Sequence, residues 1–222
     1  MKKDIKINMS KLSIGGMEKA LVDLLNNSDL VKNYNITLLL VYNGEENYLN
    51  MIPNNVKVDI VYNGKWNIFG KLIAGIKLIF KTVFSKKYYA SICYTHHHKI
   101  LSLLTRRESK NNICFVHTDL INSRTEIQLK KLCNSLKFEK FKKIICVSEC
   151  AKKSFTEIYP NFKGKIYVAN NYIDGKGILD KSNEKINDVS KEECITFINV
   201  ARHDDNHKRI SRIINACIKL KT

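Results

Sequence analysis

The sequence is poor in structural punctuation: among 222 residues there are two prolines and nine glycines, which leaves no room for a long low-complexity linker. No internal repeat is visible. The seven cysteines (Cys93, Cys114, Cys133, Cys146, Cys150, Cys194 and Cys217) are scattered and none forms a C-x-x-C pair, so neither a zinc site nor a disulfide framework is indicated. Several sit in apolar runs such as "NICFV" and "IICVSEC", where a reduced cysteine packs as a small hydrophobe. A cytoplasmic location is therefore expected. The amino-terminal "MKKDIKINMS" lacks the apolar core of a signal peptide, and no run reaches the length of a membrane span.

What is present in excess is positive charge. Lysine and arginine outnumber aspartate and glutamate 38 to 21, a net +17. Such a balance favours a polyanionic partner: nucleic acid, an anionic membrane surface or a phosphorylated substrate. A solvated lysine-rich surface explains the charge equally well. Nucleic acid is not an expected partner, because no recognisable nucleic-acid module or interleaved stacking aromatics occur.

The order of elements reads strand, helix, strand, repeated. "DIKINMS" reads as the first strand and "GMEKALVDLLNN" as a helix with Met17, Ala20, Leu21, Leu24 and Leu25 on one face. "YNITLLLVY" and "NVKVDIVY" end in Asn-Gly turns, and "ASICYT", "NICFVHT", "KKIICVS" and "GKIYVAN" supply four more short apolar strands. Helical patterns separate most of them, notably 126–141 and 150–158. Apolar strands alternating with helices imply an α/β fold, a doubly wound parallel sheet covered on both faces. Ligands of such sheets bind beyond the carboxyl ends of the strands. Residues 1–174 read as this domain and the polar stretch 175–193 as a linker. Residues 194–222 supply one strand and one helix, the opening of a second α/β unit that stops short.

The segment "KWNIFGKLIAGIKLIFKTVFSKKYY" (65–89) stands apart. A broad apolar stripe runs through Trp66, Phe69, Leu72, Ile73, Ile76, Ile79, Phe80 and Phe84, with Lys65, Lys71, Lys77, Lys81, Lys86 and Lys87 around it. A basic amphipathic helix of this kind can lie in an anionic membrane interface, with Trp66, Lys71, Lys77 and Lys81 in contact. The alternative is a sheet-covering helix whose lysines snorkel into water.

Candidate chemistry begins at Gly15 and Gly16, which follow the first strand and open a helix. A glycine pair lets a ligand approach the backbone closely, and the helix amino terminus offers free N–H groups to an anion. The pattern is neither G-x-G-x-x-G nor a P-loop, since no G-K-[ST] follows. A tight turn, with Glu18 complementing the helix dipole, remains an alternative. His117 ends an apolar strand at the ligand edge, and Asp119 beside it could orient the ring or meet a hydroxyl. Ser148 and Glu149 end another strand, where a helix cap is the plainer reading. His96, His97 and His98 alternate faces if extended, so a loop is expected there and no metal site.

Read in order, "IGGMEKALVDLL", "ICFVHTDL", "IICVSECAKKSF", "IYVANNYID" and "ITFINVARHDDNHKRISRIINACIKL" resemble successive landmarks of the GT-B glycosyltransferases of family 4. The resemblance covers the amino-terminal domain and the start of the next. It implies a Rossmann-like acceptor-side domain and a retaining enzyme. Such an enzyme moves a hexose-type sugar from a nucleotide-diphosphate donor to a cell-envelope polysaccharide or lipid-linked acceptor. By resemblance, Gly15 and Gly16 face the donor diphosphate and Arg202 and Lys208 bind it from the other side. His117 would lie near the reacting sugar, and Ser148, Glu149, Asn170, Asn171 and Asp174 would border the cleft. Fixed cations and amide dipoles at the departing diphosphate lower the barrier and can replace a divalent metal. No metal or other cofactor is expected, and no isolated D-x-D occurs.

One departure is large. The family's E-x(7)-E motif, which would touch the donor sugar and ribose, has no counterpart here. Activity would therefore need a longer parent chain or a second polypeptide supplying that half. A non-catalytic membrane-associated subunit, or a remnant of such an enzyme, is the alternative.

Overall fold

A computed structural model describes residues 1–44, 48–123, 125–185, 197–201 and 205–220. The chain divides into two compact units, Met1–Ile178 and Leu179–Thr222. The first contains seven strands: β1 (Lys3–Met9), β2 (Tyr34–Tyr42), β3 (Lys57–Tyr62), β4 (Ala90–Cys93), β5 (Asn112–Val116), β6 (Lys143–Cys146) and β7 (Ile166–Val168). They form one all-parallel sheet in the order β3-β2-β1-β4-β5-β6-β7. Winding runs outward in both directions from β1, so the doubly wound expectation holds. The connecting helices are α1 (Gly16–Asn27), the short α2 (Leu30–Asn33), α3 (Ile68–Val83), α4 (Lys99–Glu108), α5 (Glu126–Leu136) and α6 (Glu149–Ile158).

Strand alternation builds a core on each face. In β2, Ile36, Leu38 and Leu40 join Ile5, Ile7 and Met9 of β1 and Leu21, Val22 and Leu25 of α1. Leu39 and Val41 point the other way, into a core shared with Ala74 and Leu78 of α3, Leu101 and Leu104 of α4, Phe138 and Phe155. A period of two on strands and of 3.6 on helices accounts for both.

The second face of β1 is polar. Lys6 forms a buried ion pair with Glu108 at 2.7 Å. Asn8 Nδ2 donates to Ser91 Oγ, Thr105 Oγ1 and Glu108 Oε2, the last at 2.8 Å. Ser91 Oγ donates to the same carboxylate oxygen at 2.8 Å. This network ties β1 to β4 and to the end of α4.

Helix α3 is turned the opposite way from most sheet-covering helices. Its buried residues are Gly70, Ala74, Leu78 and Thr82, a stripe of mostly small side chains at i, i+4 spacing. Its large apolar residues face outward, and Lys81 reaches to Asp59 of β3 at 2.8 Å.

Three segments show detail beyond the reading of the sequence. The helical pattern over 126–141 ends at Leu136, because Lys137 adopts a left-handed conformation at φ 55°. That turn starts a 3₁₀ turn and carries Phe138 into the core. The supposed linker 175–193 begins with a helix, α7 (Gly175–Ser182). Asp174 caps it by accepting the Gly177 N–H at 3.1 Å, a local interaction that apolar periodicity does not reveal. The strand read at the start of 194–222 does not appear at 197–201, and residues 194–196 and 202–204 lie outside the described residues. The second unit shows α8 (Asp205–Lys208) and α9 (Ile210–Leu220).

Replacing Glu108 by alanine leaves the Lys6 charge buried without its partner and removes an acceptor of Asn8. The expected loss is about 3–5 kcal/mol, read as a lower urea midpoint with unchanged slope. A Lys6→Met, Glu108→Leu pair should recover much of it.

Candidate functional site at the strand carboxyl ends

The order of the sheet reverses between β1 and β4, so the loops after these strands diverge and leave a crevice. Its walls are tied at the base. Ser10 N–H donates to Thr95 Oγ1 at 3.1 Å, and Tyr94 N–H donates to the Asn8 carbonyl at 2.9 Å. Thr95 is fully buried, so the junction is closed to solvent.

The loop after β1 leads to Gly15, the residue before α1. Gly15 is extended (φ −177°, ψ 163°), and no side chain caps the helix. A Cβ on Gly16 would meet nothing within 4 Å. Neither glycine adopts a positive φ, so backbone conformation does not demand glycine at either position. A Cβ on Gly15 would meet one obstacle, the carboxylate of Glu18 at 2.6 Å. The amino end of α1 is therefore bare except for that carboxylate, which occupies ground an anionic ligand would take. Glu18 also lies close enough to Tyr94 to raise the phenol pKa further after burial has raised it.

His117 follows β5 directly. Its Nε2 lies 3.0 Å from the Tyr94 carbonyl, an arrangement in which Nε2–H donates. Its ring packs against Tyr94 at 4.5 Å and Phe115 at 5.8 Å between centroids. Nδ1 is enclosed and makes no hydrogen bond among the described residues. Burial pushes the His117 pKa down to about 4; the Tyr94 hydrogen bond opposes this and His97 adds to it. The ring is thus neutral at pH 7, with a lone pair on Nδ1.

Asp119 does not orient His117. Its Oδ1 accepts the N–H groups of Ile121 and Asn122, each at 3.1 Å, and its Oδ2 accepts from the Asn122 amide at 2.7 Å and the Cys150 thiol at 3.4 Å. These bonds, Asn122 first, hold the carboxyl far below the ordinary carboxylate range. The carboxylate closes its own turn, and the Tyr94 carbonyl holds the histidine instead.

Ser148 caps α6 by accepting the Ala151 N–H at 3.1 Å, and Glu149 lies exposed beside Lys152. Both follow β6, next to β5, on the same edge of the sheet. Asn170 and Asn171 are exposed in the segment after β7, and Asp174 serves as the α7 cap. Lys208 is exposed at the end of α8 in the second unit, while Arg202 lies outside the described residues. His98 caps α4 through Nδ1, which accepts the Leu101 N–H at 3.3 Å. Among the described residues no group of three His, Cys, Asp or Glu side chains is placed to hold a metal. A depression of about 710 Å³ lined by Tyr88, Tyr89, Arg106, Arg107 and Lys110 lies at the amino edge, the opposite end of the sheet from the crevice.

The structure thus gathers Gly15, Gly16, His117, Ser148 and Glu149 along one edge and adds Ser10, Glu18, Tyr94 and Thr95. The sequence carried one signal for the added group: Glu18 stands in the first helical turn after the glycines.

No protein-family model and no curated protein matches the chain. Solved structures do. The chain is similar to Anabaena Alr3699/HepE in complex with UDP and glucose, with a TM-score of 0.56 and 14% identity over 78% of this chain and 45% of that one. It is similar to the lipopolysaccharide outer core galactosyltransferase WaaB, with a TM-score of 0.52 and 12% identity over 78% and 46%. It also matches Phytolacca americana UGT2 complexed with UDP-2-fluoro-glucose and pterostilbene, with a TM-score of 0.50 and 12% identity over 81% and 56%. The fold is therefore the Rossmann-like α/β architecture of GT-B glycosyltransferases. The chain spans about half the length of these structures.

The buried histidines set a pH dependence. The His117 and His98 pKa values are both lowered, chiefly by burial. Below about pH 6.5 the unfolded chain takes up protons that the folded chain refuses. Stability is full above that pH and declines as pH falls toward about 4. The His117 share is roughly 2–4 kcal/mol. Urea midpoints at pH 7.5 and 5 should differ for the native chain, and less for His117→Gln.

Proposed function

We propose that this chain is the acceptor-side half of a nucleotide-sugar-dependent glycosyltransferase related to family 4. The observation that carries the reading is the bare start of α1. Two glycines that backbone conformation does not require, with open space at Gly16, stand at the switch point of a GT-B fold. Backbone N–H groups and the helix dipole suit the β-phosphate of a nucleoside diphosphate there. Glu18 must swing aside when the anion arrives, and its repulsion then helps release the diphosphate product.

In the reaction, negative charge grows on the departing diphosphate while the sugar gains oxocarbenium character. Gly15 and Gly16 meet that charge; by the family resemblance Arg202 and Lys208 are the cations for the same diphosphate, with no metal required. His117, neutral and fixed by Tyr94, shapes the acceptor side near the sugar. Asp119 supports the loop that follows it. Transfer is with retention, to a cell-envelope polysaccharide or lipid-linked acceptor at the cytoplasmic face of the membrane. Contacts to the nucleotide base and sugar come from a second α/β domain, in a longer chain or a second polypeptide. The exposed face of α3 favours a second reading, a membrane-associated subunit without turnover.

The test is UDP binding followed by ³¹P NMR. Titration into the chain should broaden the β-phosphate signal, and Gly16→Val should weaken binding at least tenfold with an unchanged melting temperature, since a side chain there meets open space. Equal binding by the variant would remove the phosphate site and leave the subunit reading.

A further inference from the structure

We infer that the outward face of α3 is a docking surface for a bilayer containing anionic phospholipid. The helix seats itself on the sheet through Gly70, Ala74, Leu78 and Thr82. On the opposite side Phe69 is 74% exposed, Ile76 58%, Phe80 64% and Phe84 70%, with Leu72 and Val83 between them. A helix normally turns its large apolar residues inward. Here they form a continuous ridge along the whole length of the helix, well beyond the scattered exposed apolar residues of an ordinary surface.

Charge selects the occupant. From Gly64 to Tyr89 the sequence contains six lysines and no acidic residue; Lys81 and Lys86 pair with Asp59 and Asp4 of the sheet, and Lys65, Lys71 and Lys77 have no such ion pair among the described residues. Lys77 and the stem of Lys81 border an apolar depression of about 450 Å³ lined by Ile76, Phe80 and Phe84. Ammonium groups beside apolar ground match the boundary between lipid headgroups and acyl chains. A second copy of the chain fits poorly, because a two-fold pairing of this face brings lysines against lysines. No helix of the described residues is long and apolar enough to cross a membrane, so α3 lies in the plane of the interface. Its sixteen residues cover about 24 Å.

The ridge begins at the functional edge of the sheet. Trp66, just before α3, stacks on Tyr42 at the end of β2 with ring centroids 4.5 Å apart. The end of β3, from which α3 departs, stands two strands, roughly 10 Å, from β1. Docking would therefore hold the crevice near the membrane surface. The docking surface stands independently of the transfer reading; its use in presenting a lipid-linked acceptor rests on that reading.

The test uses the full chain with vesicles of phosphatidylcholine alone or mixed with phosphatidylglycerol. Trp66 is the single tryptophan, so its emission and its quenching by brominated lipid report docking at this face. Flotation should show binding to the anionic vesicles, weakening about fivefold for each of Lys71→Gln and Lys77→Gln. Phe69→Glu, Ile76→Glu and Phe80→Glu together should reduce binding more than tenfold. These side chains face solvent, so circular dichroism and melting should be unchanged. Binding to neither vesicle would overturn the inference, as would binding that survives the triple change. A monomer–dimer equilibrium that the triple change dissolves, without vesicle binding, would assign the face to a second copy instead.

Discussion

The junction between β1 and β4 is the constraint on which the rest of the structure depends. These strands pair although more than eighty residues separate them, and their pairing turns two βα series into one sheet. The buried group of Lys6, Asn8, Ser91, Thr105 and Glu108 sits on that seam. A register shift of one residue would put the Lys6 charge among Ile7 and Met9's apolar neighbours and strand Glu108. Apolar packing alone would tolerate several alignments; a buried ion pair with its hydrogen-bonded neighbours tolerates one.

Because the seam is fixed, the crevice above it is fixed as well. Ser10 and Thr95 close its floor, Tyr94 rises from β4, and the Tyr94 carbonyl sets the His117 ring. One strand end thus holds both an aromatic wall and the tautomer of the neighbouring histidine. Across the crevice α1 starts without a side-chain cap. Glu18 lies over its first residues and partly offsets the dipole. A helix start covered by a movable carboxylate can exchange it for a stronger anion, which a Ser or Asp cap bonded to the same amides would resist.

Helix α3 follows a different logic. Tight seating through Gly70 and Ala74 brings its backbone close to the sheet, and in the same stroke commits its bulky side chains to the outside. Lys81 is drawn to Asp59 and Lys86 to Asp4, so the charge available to a partner comes chiefly from Lys65, Lys71 and Lys77.

The sequence by itself determined the strands, most helices and the doubly wound class, because period-2 and period-3.6 apolar patterns act over a few residues. It also marked the glycine pair and the strand-end His117. Interactions between distant segments decided the remainder. Asn122, three residues on, draws Asp119 into its own turn, whereas the group that holds His117, the Tyr94 carbonyl, lies on a distant strand end that the sequence around His117 does not reveal. The amphipathic pattern of 65–89 was equally legible, but not which side of α3 meets the sheet. Small residues let the backbone approach, and three-dimensional packing alone determined that the small stripe, and not the large one, is buried.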